Sequence, residues 1–312
     1  MSRAQPSPGG LEEARRLAAL GVARVRAPNG GPLTLSGTNT WVLGCNPAYV
    51  VDPGPLEETH MRRLLRLIER RGGLGGVALT HDHHDHAEAA ETLIERASAL
   101  VSGAGAAAPP AAGSAAERLG LGGAAEPSGA GGARAPLAAG RGRCDVILED
   151  RLRFGPLQAI RTPGHSPDHF AFVAGEACFT GDAVLGEGSV FIAPDPGALS
   201  FYLAALRGLA TMPLSVLCPG HGPAVWDPQG KLSEYVEHRL ERERALIAAL
   251  SGGARAVSEM LDAAWPDVDR RMRPLASVTL AAHLEKLEQE GRLPDGVERP
   301  DIAAIWGADG GV

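Results

Sequence analysis

The sequence predicts an α/β protein in which a larger mixed region is followed by a small helical one. Short apolar runs such as Gly76 to Leu79 indicate buried strands, and they alternate with amphipathic helical patterns such as Glu57 to Arg71. Histidines and aspartates crowd the segment Thr80 to His86, directly after that strand. From Lys231 onward the pattern is helical, with no further cluster of ligand-like side chains. We therefore expect any metal site to lie in the first region.

Bulk composition excludes several classes of protein. With 312 residues, 44% hydrophobic and 21% charged, the chain can bury a sizeable core. A net charge of −7 argues against binding nucleic acid by bulk attraction. The four cysteines show no CxxC spacing, which favours reduced thiols over a disulfide framework. No secretory signal is seen in Met1 to Gly21, and no stretch reaches membrane-spanning length, so we predict a cytoplasmic protein.

The domain organisation follows from changes in composition. We predict an N-terminal tail over residues 1–21, a catalytic domain over 22–230 and a C-terminal domain over 231–312. Residues from about 102 to 142 consist mainly of Ala, Gly, Pro and Ser, which cannot offset the entropy of ordering. We interpret them as a disordered insert. In the C-terminal domain, three helical runs and a possible wing at Gly291 to Leu293 predict a winged helix-turn-helix.

The segment after the first buried strand fits the spacing HxHxDH. His81 and His83 can converge on one ion, while Asp85 and His86 can turn toward a second ion close by. A histidine cluster alone is often structural. Three later fragments favour a metal site over a structural cluster, because each places a ligand-capable side chain beside glycine after a predicted strand. These ligands are His165, Asp182 and His221.

The order HxHxDH, His, Asp, His resembles the metallo-β-lactamase superfamily of dinuclear metal hydrolases, over about Leu33 to Pro228. The resemblance implies a four-layer αββα sandwich followed here by a winged-helix domain. It also implies two divalent ions, most often zinc, with iron or manganese as alternatives. By that resemblance His81, His83 and His165 hold one ion, Asp85, His86 and His221 hold the other, and Asp182 bridges them.

The same resemblance assigns roles around the ligands. Asp52 and His169 are expected to support the ligands from behind. Asn39 is expected at the mouth of the active site as a substrate contact, although a polar residue at a strand end is an equal interpretation. Asp85 is expected to act in catalysis as well, by orienting a water that protonates the leaving group.

The function implied is hydrolysis by a hydroxide shared between two metal ions. The branch with a C-terminal winged helix includes beta-lactamase-like protein two, an animal mitochondrial endoribonuclease, so single-stranded RNA is one candidate substrate. An acyl ester or thioester is the other. A glyoxalase II-like thioesterase fits less well because its C-terminal helices differ, and a true β-lactamase fits less well because Asp182 is the bridging residue.

A DNA-binding winged-helix protein with a vestigial or structural metal site is the alternative from a different class. Between Lys231 and Arg299 the chain has 11 basic and 13 acidic residues, which is not the basic footprint of a DNA reader. We therefore expect RNA or a small acyl compound as the partner, and neither DNA nor a membrane.

Overall fold

The computed structural model describes residues 8–103, 148–192 and 194–306. Nearly all of the predicted insert at residues 102–142 lies outside them. The chain divides into two compact units. The first unit comprises residues 1–160, 172–174 and 220–222, and the second comprises residues 161–171, 175–219 and 223–312. The predicted boundary at residue 230 stays a prediction.

A four-stranded sheet forms the centre of the first unit. Its strands, in sheet order, are β1 (Val22–Arg26), β2 (Asn39–Leu43), β3 (Ala48–Val51) and β4 (Leu74–Ala78). The first three pair antiparallel, while β3 and β4 run parallel. The parallel pair requires a crossover, which the second helix of the unit supplies. Of the apolar-rich run from Leu33 to Leu43, only the second half forms a strand, β2.

Four helices lie in the described part of the first unit. They are α1 (Pro8–Ala19), α2 (Glu58–Arg70), α3 (His84–Ala87) and α4 (Ala90–Gly103). In α2 the residues Met61, Leu64 and Ile68 recur at helical spacing and are buried with Val50 and Leu93 in one apolar cluster. Within the segment expected to be a tail, α1 forms and packs against β1. The expectation of a tail missed Leu17, which is 2% exposed and ties that helix to the core.

The remaining five strands form a second sheet in chain order. They are β5 (Arg153–Phe154), β6 (Leu157–Arg161), β7 (Phe170–Ala174), β8 (Ala177–Gly181) and β9 (Val216–Pro219). The hairpin of β5 and β6 turns at Gly155 and Pro156. Strands β8 and β9 run parallel and are joined through α5 (Ala198–Ala210).

The C-terminal part of the second unit is helical. It contains α6 (Pro228–Ser251), α7 (Val257–Ala264), α8 (Arg273–Gln289) and α9 (Ile302–Trp306), with a 3₁₀ turn at Arg270–Met272. Their shared core includes Leu246, Met260, Trp265, Leu280 and Leu284. Helix α8 is buried without interruption from Ala276 to Leu284, so most of its surface packs against other parts of the protein.

The predicted wing at Gly291 to Leu293 is not built from strands: none of the nine described strands lies beyond Pro219. Gly291 has φ of 66° and ends α8 in a left-handed turn. The following segment is tied to the start of α7, because Glu298 N donates to Arg255 O and Val257 N donates to a Glu298 carboxylate oxygen. Those contacts hold the segment away from a hairpin. No helix among the described residues is both long and apolar enough to cross a membrane.

Candidate metal centre

The predicted metal loop begins directly after β4. His81 is 2% exposed, and its ring lies 4.4 Å from the ring of His83 and 4.4 Å from that of His86. Helix α3 then carries Asp85 and His86 on a single turn, with His83 at its N-cap. One short segment therefore concentrates four of the predicted ligands.

Asp85, His86 and His221 form a triangle of ligand atoms in the first unit. Asp85 Oδ2 lies 3.4 Å from His221 Nε2 and 3.7 Å from His86 Nε2, and the two Nε2 atoms are 3.3 Å apart. A tetrahedral zinc ion with bonds of about 2.0–2.1 Å separates its ligand atoms by about 3.3 Å. The donor set and its spacing therefore fit a divalent cation.

Asp52 determines which ring nitrogen carries the proton in two histidines, His81 and His86. Its carboxylate accepts from Thr80 N at 2.8 Å, from Thr80 Oγ1 at 2.8 Å and from His86 Nδ1 at 2.9 Å. Because the Thr80 hydroxyl donates to Asp52, it accepts from His81 Nδ1 at 3.0 Å. Both rings thus carry their proton on Nδ1 and present the Nε2 lone pair to a metal.

The backbone of Asp52 is itself unusual. This residue has φ of 51°, a left-handed conformation that is uncommon outside glycine, and its side chain is 1% exposed. The surrounding hydrogen bonds maintain the conformation, and it aims the carboxylate at the ligand loop. The sequence predicts that Asp52 supports the ligands, and the contacts agree with that role.

Asp85 is held by a residue that the sequence analysis did not identify. Thr38 Oγ1 donates to Asp85 Oδ2 at 2.8 Å, and Asn29 Nδ2 donates to the same hydroxyl at 2.9 Å. Thr38 also pairs with His221 in an isolated bridge. Nothing in the spacing of Asn29 and Thr38 indicates this role, since their contact with the loop spans 47 residues.

The surroundings of Asn39 favour one of its two interpretations, a polar residue at a strand end. The side chain is fully buried, and its Nδ2 donates to Gly222 O at 2.8 Å while its backbone N donates to Gly220 O at 2.7 Å. Those bonds hold the turn that carries His221. Burial at the start of β2 thus favours a structural role, and a substrate contact by Asn39 stays a prediction.

The second unit contains the other two predicted ligands. His165 Nε2 lies 3.8 Å from Asp182 Oδ2, and His165 Nδ1 donates to Phe191 O at 3.3 Å. Asp182 N donates to His169 Nε2 at 3.2 Å, so the His169 proton is on Nδ1, which donates to Thr162 Oγ1 at 2.8 Å. His169 thus contacts Asp182 through the Asp182 backbone N–H, and the role of His169 behind the ligands stays a prediction. Phe191 had no signal in the sequence, because a backbone carbonyl makes the contact.

Gly164 explains why the turn before His165 needs glycine. Its φ is 149°, and a Cβ there would lie 2.6 Å from the Cβ of Tyr202. A larger residue would push the His165 turn away from α5.

The structure thus brings five predicted ligands together in the first unit and two in the second. Their roles as ligands remain predictions.

Comparisons with known proteins identify the family. Residues 33–221 match the model of the metallo-beta-lactamase superfamily. The chain belongs to this superfamily. Residues 257–295 match the beta-lactamase associated winged helix domain. The metallo-β-lactamase fold with a C-terminal winged-helix domain is therefore confirmed, and members of this superfamily are generally hydrolases.

The relatives cover most of the chain. It is 27% identical over 288 residues to the lactamase-like protein aptB of Emericella nidulans, covering 87% of this chain and 82% of that one. It is 26% identical over 276 residues to the beta-lactamase-like protein 2 homolog of Caenorhabditis elegans, covering 86% and 85%. A beta-lactamase domain protein from Burkholderia ambifaria has the same fold, with a TM-score of 0.63, 21% identity and coverage of 89% and 90%.

Proposed function

We propose that this protein is a cytoplasmic, metal-dependent hydrolase that cleaves an acyl ester or thioester bond in a small molecule. The observation that carries the proposal is the triangle of Asp85, His86 and His221, whose edges of 3.3–3.7 Å match the ligand spacing of a tetrahedral cation. The free thiols Cys45 and Cys178 favour a reducing compartment.

The residues fit two divalent ions, zinc first, with iron or manganese as alternatives. We assign His81, His83 and His165 to one ion, Asp85, His86 and His221 to the other, and Asp182 to both. When bound, such ions polarise a carbonyl and provide a hydroxide nucleophile near neutral pH. The histidine lone pairs are directed for this task by Asp52, which keeps the protons of His81 and His86 on Nδ1.

Asp85 has a second task in this proposal. Its side chain is 27% exposed, whereas His86 and His221 are almost fully buried. Thr38 occupies Oδ2 and fixes the carboxylate, so the same group can orient a water that gives a proton to the leaving group. The chain would thus hold the ion and orient the water that gives the proton to the leaving group.

Phosphodiester cleavage of single-stranded RNA is a second candidate, and one feature favours it. Arg62, Arg63, Arg66 and Arg70 form an exposed row on α2 in the first unit, which an RNA backbone can contact. Against it stands the net charge of −7. We rank the small acyl substrate first because RNA binding draws most of its affinity from phosphate contacts.

A DNA-binding role has less support. In a winged helix-turn-helix, the reading helix must enter the major groove. Here α8 is buried from Ala276 to Leu284, and its last turn carries Glu288 beside Lys286. Helix α8 therefore presents no exposed basic face between Ala276 and Leu284. We instead propose that this domain frames the substrate.

Metal analysis tests the first part of the proposal. Purified wild-type protein should contain between one and two zinc, iron or manganese ions per chain, and His83→Ala should lower both metal content and ester hydrolysis. His84→Ala is the matched control, because His84 lies in the same loop with 73% of its side chain exposed and contacts Glu88. Far less than one ion per chain, or equal metal in the two variants, would refute the proposal.

A substrate panel tests the second part. Acyl thioesters, aryl esters and single-stranded RNA should be compared under identical conditions, with Asp182→Asn as the blank. We expect hydrolysis of esters or thioesters that Asp182→Asn removes, and intact RNA. RNA cleavage that Asp182→Asn abolishes, and that Arg62→Gln with Arg66→Gln weakens, would instead establish the nuclease.

A further inference from the structure

The second unit contains a pocket that the proposed chemistry does not use. Its volume is about 710 Å³, within the range of small-molecule sites. Residues 188–191 form one wall, α6 forms another, and the region from Trp265 to Thr279 forms the third. Apolar side chains there include Val190, Trp265 and Met272.

Arg239 gives this pocket a buried positive charge. The residue is 2% exposed and its guanidinium lies 5.9 Å from the centre of the Tyr202 ring. Its Nη2 donates to Ser189 Oγ at 2.8 Å and to Val190 O at 2.6 Å. Its Nε has no acceptor, and no carboxylate pairs with it among the described residues. Burial lowers the pKa of Arg239, as expected when a charge lacks water and a counter-charge.

The acidic residues around the pocket restrict the ligand that Arg239 can accept. Five line it, namely Glu234, Glu237, Glu241, Asp267 and Asp269, and all are exposed. Arg242 pairs with Asp267 and its guanidinium lies 5.8 Å from the Trp265 ring. A dianionic phosphate or a nucleic acid would be repelled by these five carboxylates. A single carboxylate on a flat apolar body satisfies the buried cation and avoids most of the repulsion.

The pocket adjoins the metal ligands of the same unit. Phe191 lines it, and the Phe191 carbonyl accepts from His165 Nδ1 at 3.3 Å. Tyr235, another wall residue, accepts from Leu185 N at 3.1 Å and donates to Gly188 O at 2.8 Å, in the segment just after Asp182. A molecule seated in the pocket would therefore contact the segment that orients His165.

We propose that this pocket recognises the substrate through a carboxylate on a flat apolar group, which Arg239 binds while Trp265 and Val190 contact the apolar face. The statement that this ligand is part of the substrate rests on the proposed hydrolase function. Binding of the ligand in the pocket does not rest on that function, because Arg239, Trp265 and Val190 are not predicted metal ligands.

Binding of 2-naphthoate to the full-length, chelator-treated protein tests this inference by calorimetry. The uncharged isostere 2-naphthamide fills the same space without the charge. We expect 2-naphthoate to bind at least tenfold more tightly than the amide, and Arg239→Met to remove the difference. Equal binding of the two probes, or no binding of either, would overturn the inference. Inorganic phosphate should bind more weakly than 2-naphthoate, and tighter phosphate binding would overturn the assignment of a carboxylate.

A second pair of variants keeps the test valid if Arg239→Met does not fold. Met272→Trp places a larger side chain at a partly exposed position of the wall, whereas Met212→Trp makes the same change at a partly exposed position away from it. Met272→Trp should weaken 2-naphthoate binding at least tenfold and Met212→Trp should not. Equal effects would locate the probe elsewhere.

The outcome separates this inference from the proposed function. Loss of metal binding with intact 2-naphthoate binding would refute the hydrolase and keep the pocket. Metal-dependent ester hydrolysis with no preference for carboxylated acyl groups would support the hydrolase function. It would refute the inference that the pocket recognises the substrate. A preference of tenfold or more in kcat/KM for a carboxylated ester, removed by Met272→Trp, would support both.

Discussion

The ligand group of the first unit and that of the second unit are held in different ways. In the first unit one buried carboxylate, Asp52, reaches Thr80 and His86 directly and His81 through the Thr80 hydroxyl. In the second unit His165 and Asp182 have separate supports, the Phe191 carbonyl and the His169 ring. Two ligands of the first group, His81 and His86, therefore depend on a single residue, whereas the ligands of the second group depend on how loops and helices pack.

This difference predicts which substitutions disturb the ligands of each group. A substitution at Asp52 disturbs two ligands together, while a substitution at His169 disturbs one. Packing around residues 183–191 should matter for the second group and not for the first. The predictions below test that contrast, beginning with the largest effect.

Asp52→Ala should lower metal affinity about 100-fold, the upper end for residues that orient ligands. It removes the acceptor that keeps the protons of His81 and His86 on Nδ1. Competition with a chromophoric chelator would measure the affinity of the metal-loaded protein. An affinity unchanged from wild type would show that the ligand rings need no carboxylate behind them.

His169→Phe should lower metal affinity about tenfold, the lower end of the same range. The phenyl ring keeps the volume but provides no acceptor for Asp182 N. Thr162→Val is the matched control, because it removes the partner of His169 and leaves the ring in place, so its effect should be smaller. If His169→Phe proved as damaging as Asp52→Ala, the contrast between the units would be wrong.

The sequence predicts the first group better than the second for a physical reason. Four ligands of the first unit occur within six residues, so local spacing alone implies that they share a site. Strand bounds such as Ala48–Val51 follow equally from local apolar pattern. Thr38 and Asn29 act across long stretches of chain, and their polarity alone predicts nothing.

The C-terminal region shows the same limit. Helix α7 begins and ends where its periodicity predicts, at Val257 and Ala264. The pocket, by contrast, depends on where Arg239 lies once α6 has packed, and an arginine within a helix is usually read as exposed. The turn after α8, which lacks strands in the described residues, and the burial of Asn39 have the same origin, because both depend on tertiary hydrogen bonds that no local pattern records.

Tyr235→Phe should destabilise the second unit by about 1 kcal/mol, since the buried Leu185 N would lose its acceptor. Metal affinity should fall less than in His169→Phe, because the Tyr235 hydroxyl contacts the segment after Asp182 and not the ligands. Urea denaturation would measure the stability. Tyr49→Phe is the control, a tyrosine of the first unit whose ring packs on Phe154, and it should leave the stability of the second unit unchanged.

The smallest effect concerns buried histidines outside the ligand groups, His283 in the second unit and His60 in the first. Burial lowers the pKa of both, and Arg239 and Lys286 lower that of His283 further. His60 Nε2 lies 3.0 Å from both Pro53 O and Thr40 Oγ1, whereas neither ring nitrogen of His283 has a hydrogen-bond partner in the described chain. Glu243 Oε2 lies 3.9 Å from His283 but pairs with Lys286.

A lowered pKa in the folded state means that the unfolded chain takes up protons first as the pH falls below about 6.5. Each histidine therefore reduces the stability of the folded protein as the pH falls from 8 to 6. His283→Leu should remove that loss at little cost at pH 8, because no hydrogen bond is broken. His60→Leu should also flatten the pH dependence, but it should lower stability at pH 8 by leaving Pro53 O without its donor. Urea denaturation of metal-free protein at the two pH values measures both, and a His283→Leu variant that loses as much stability as wild type on acidification would show that this ring is already protonated inside the fold.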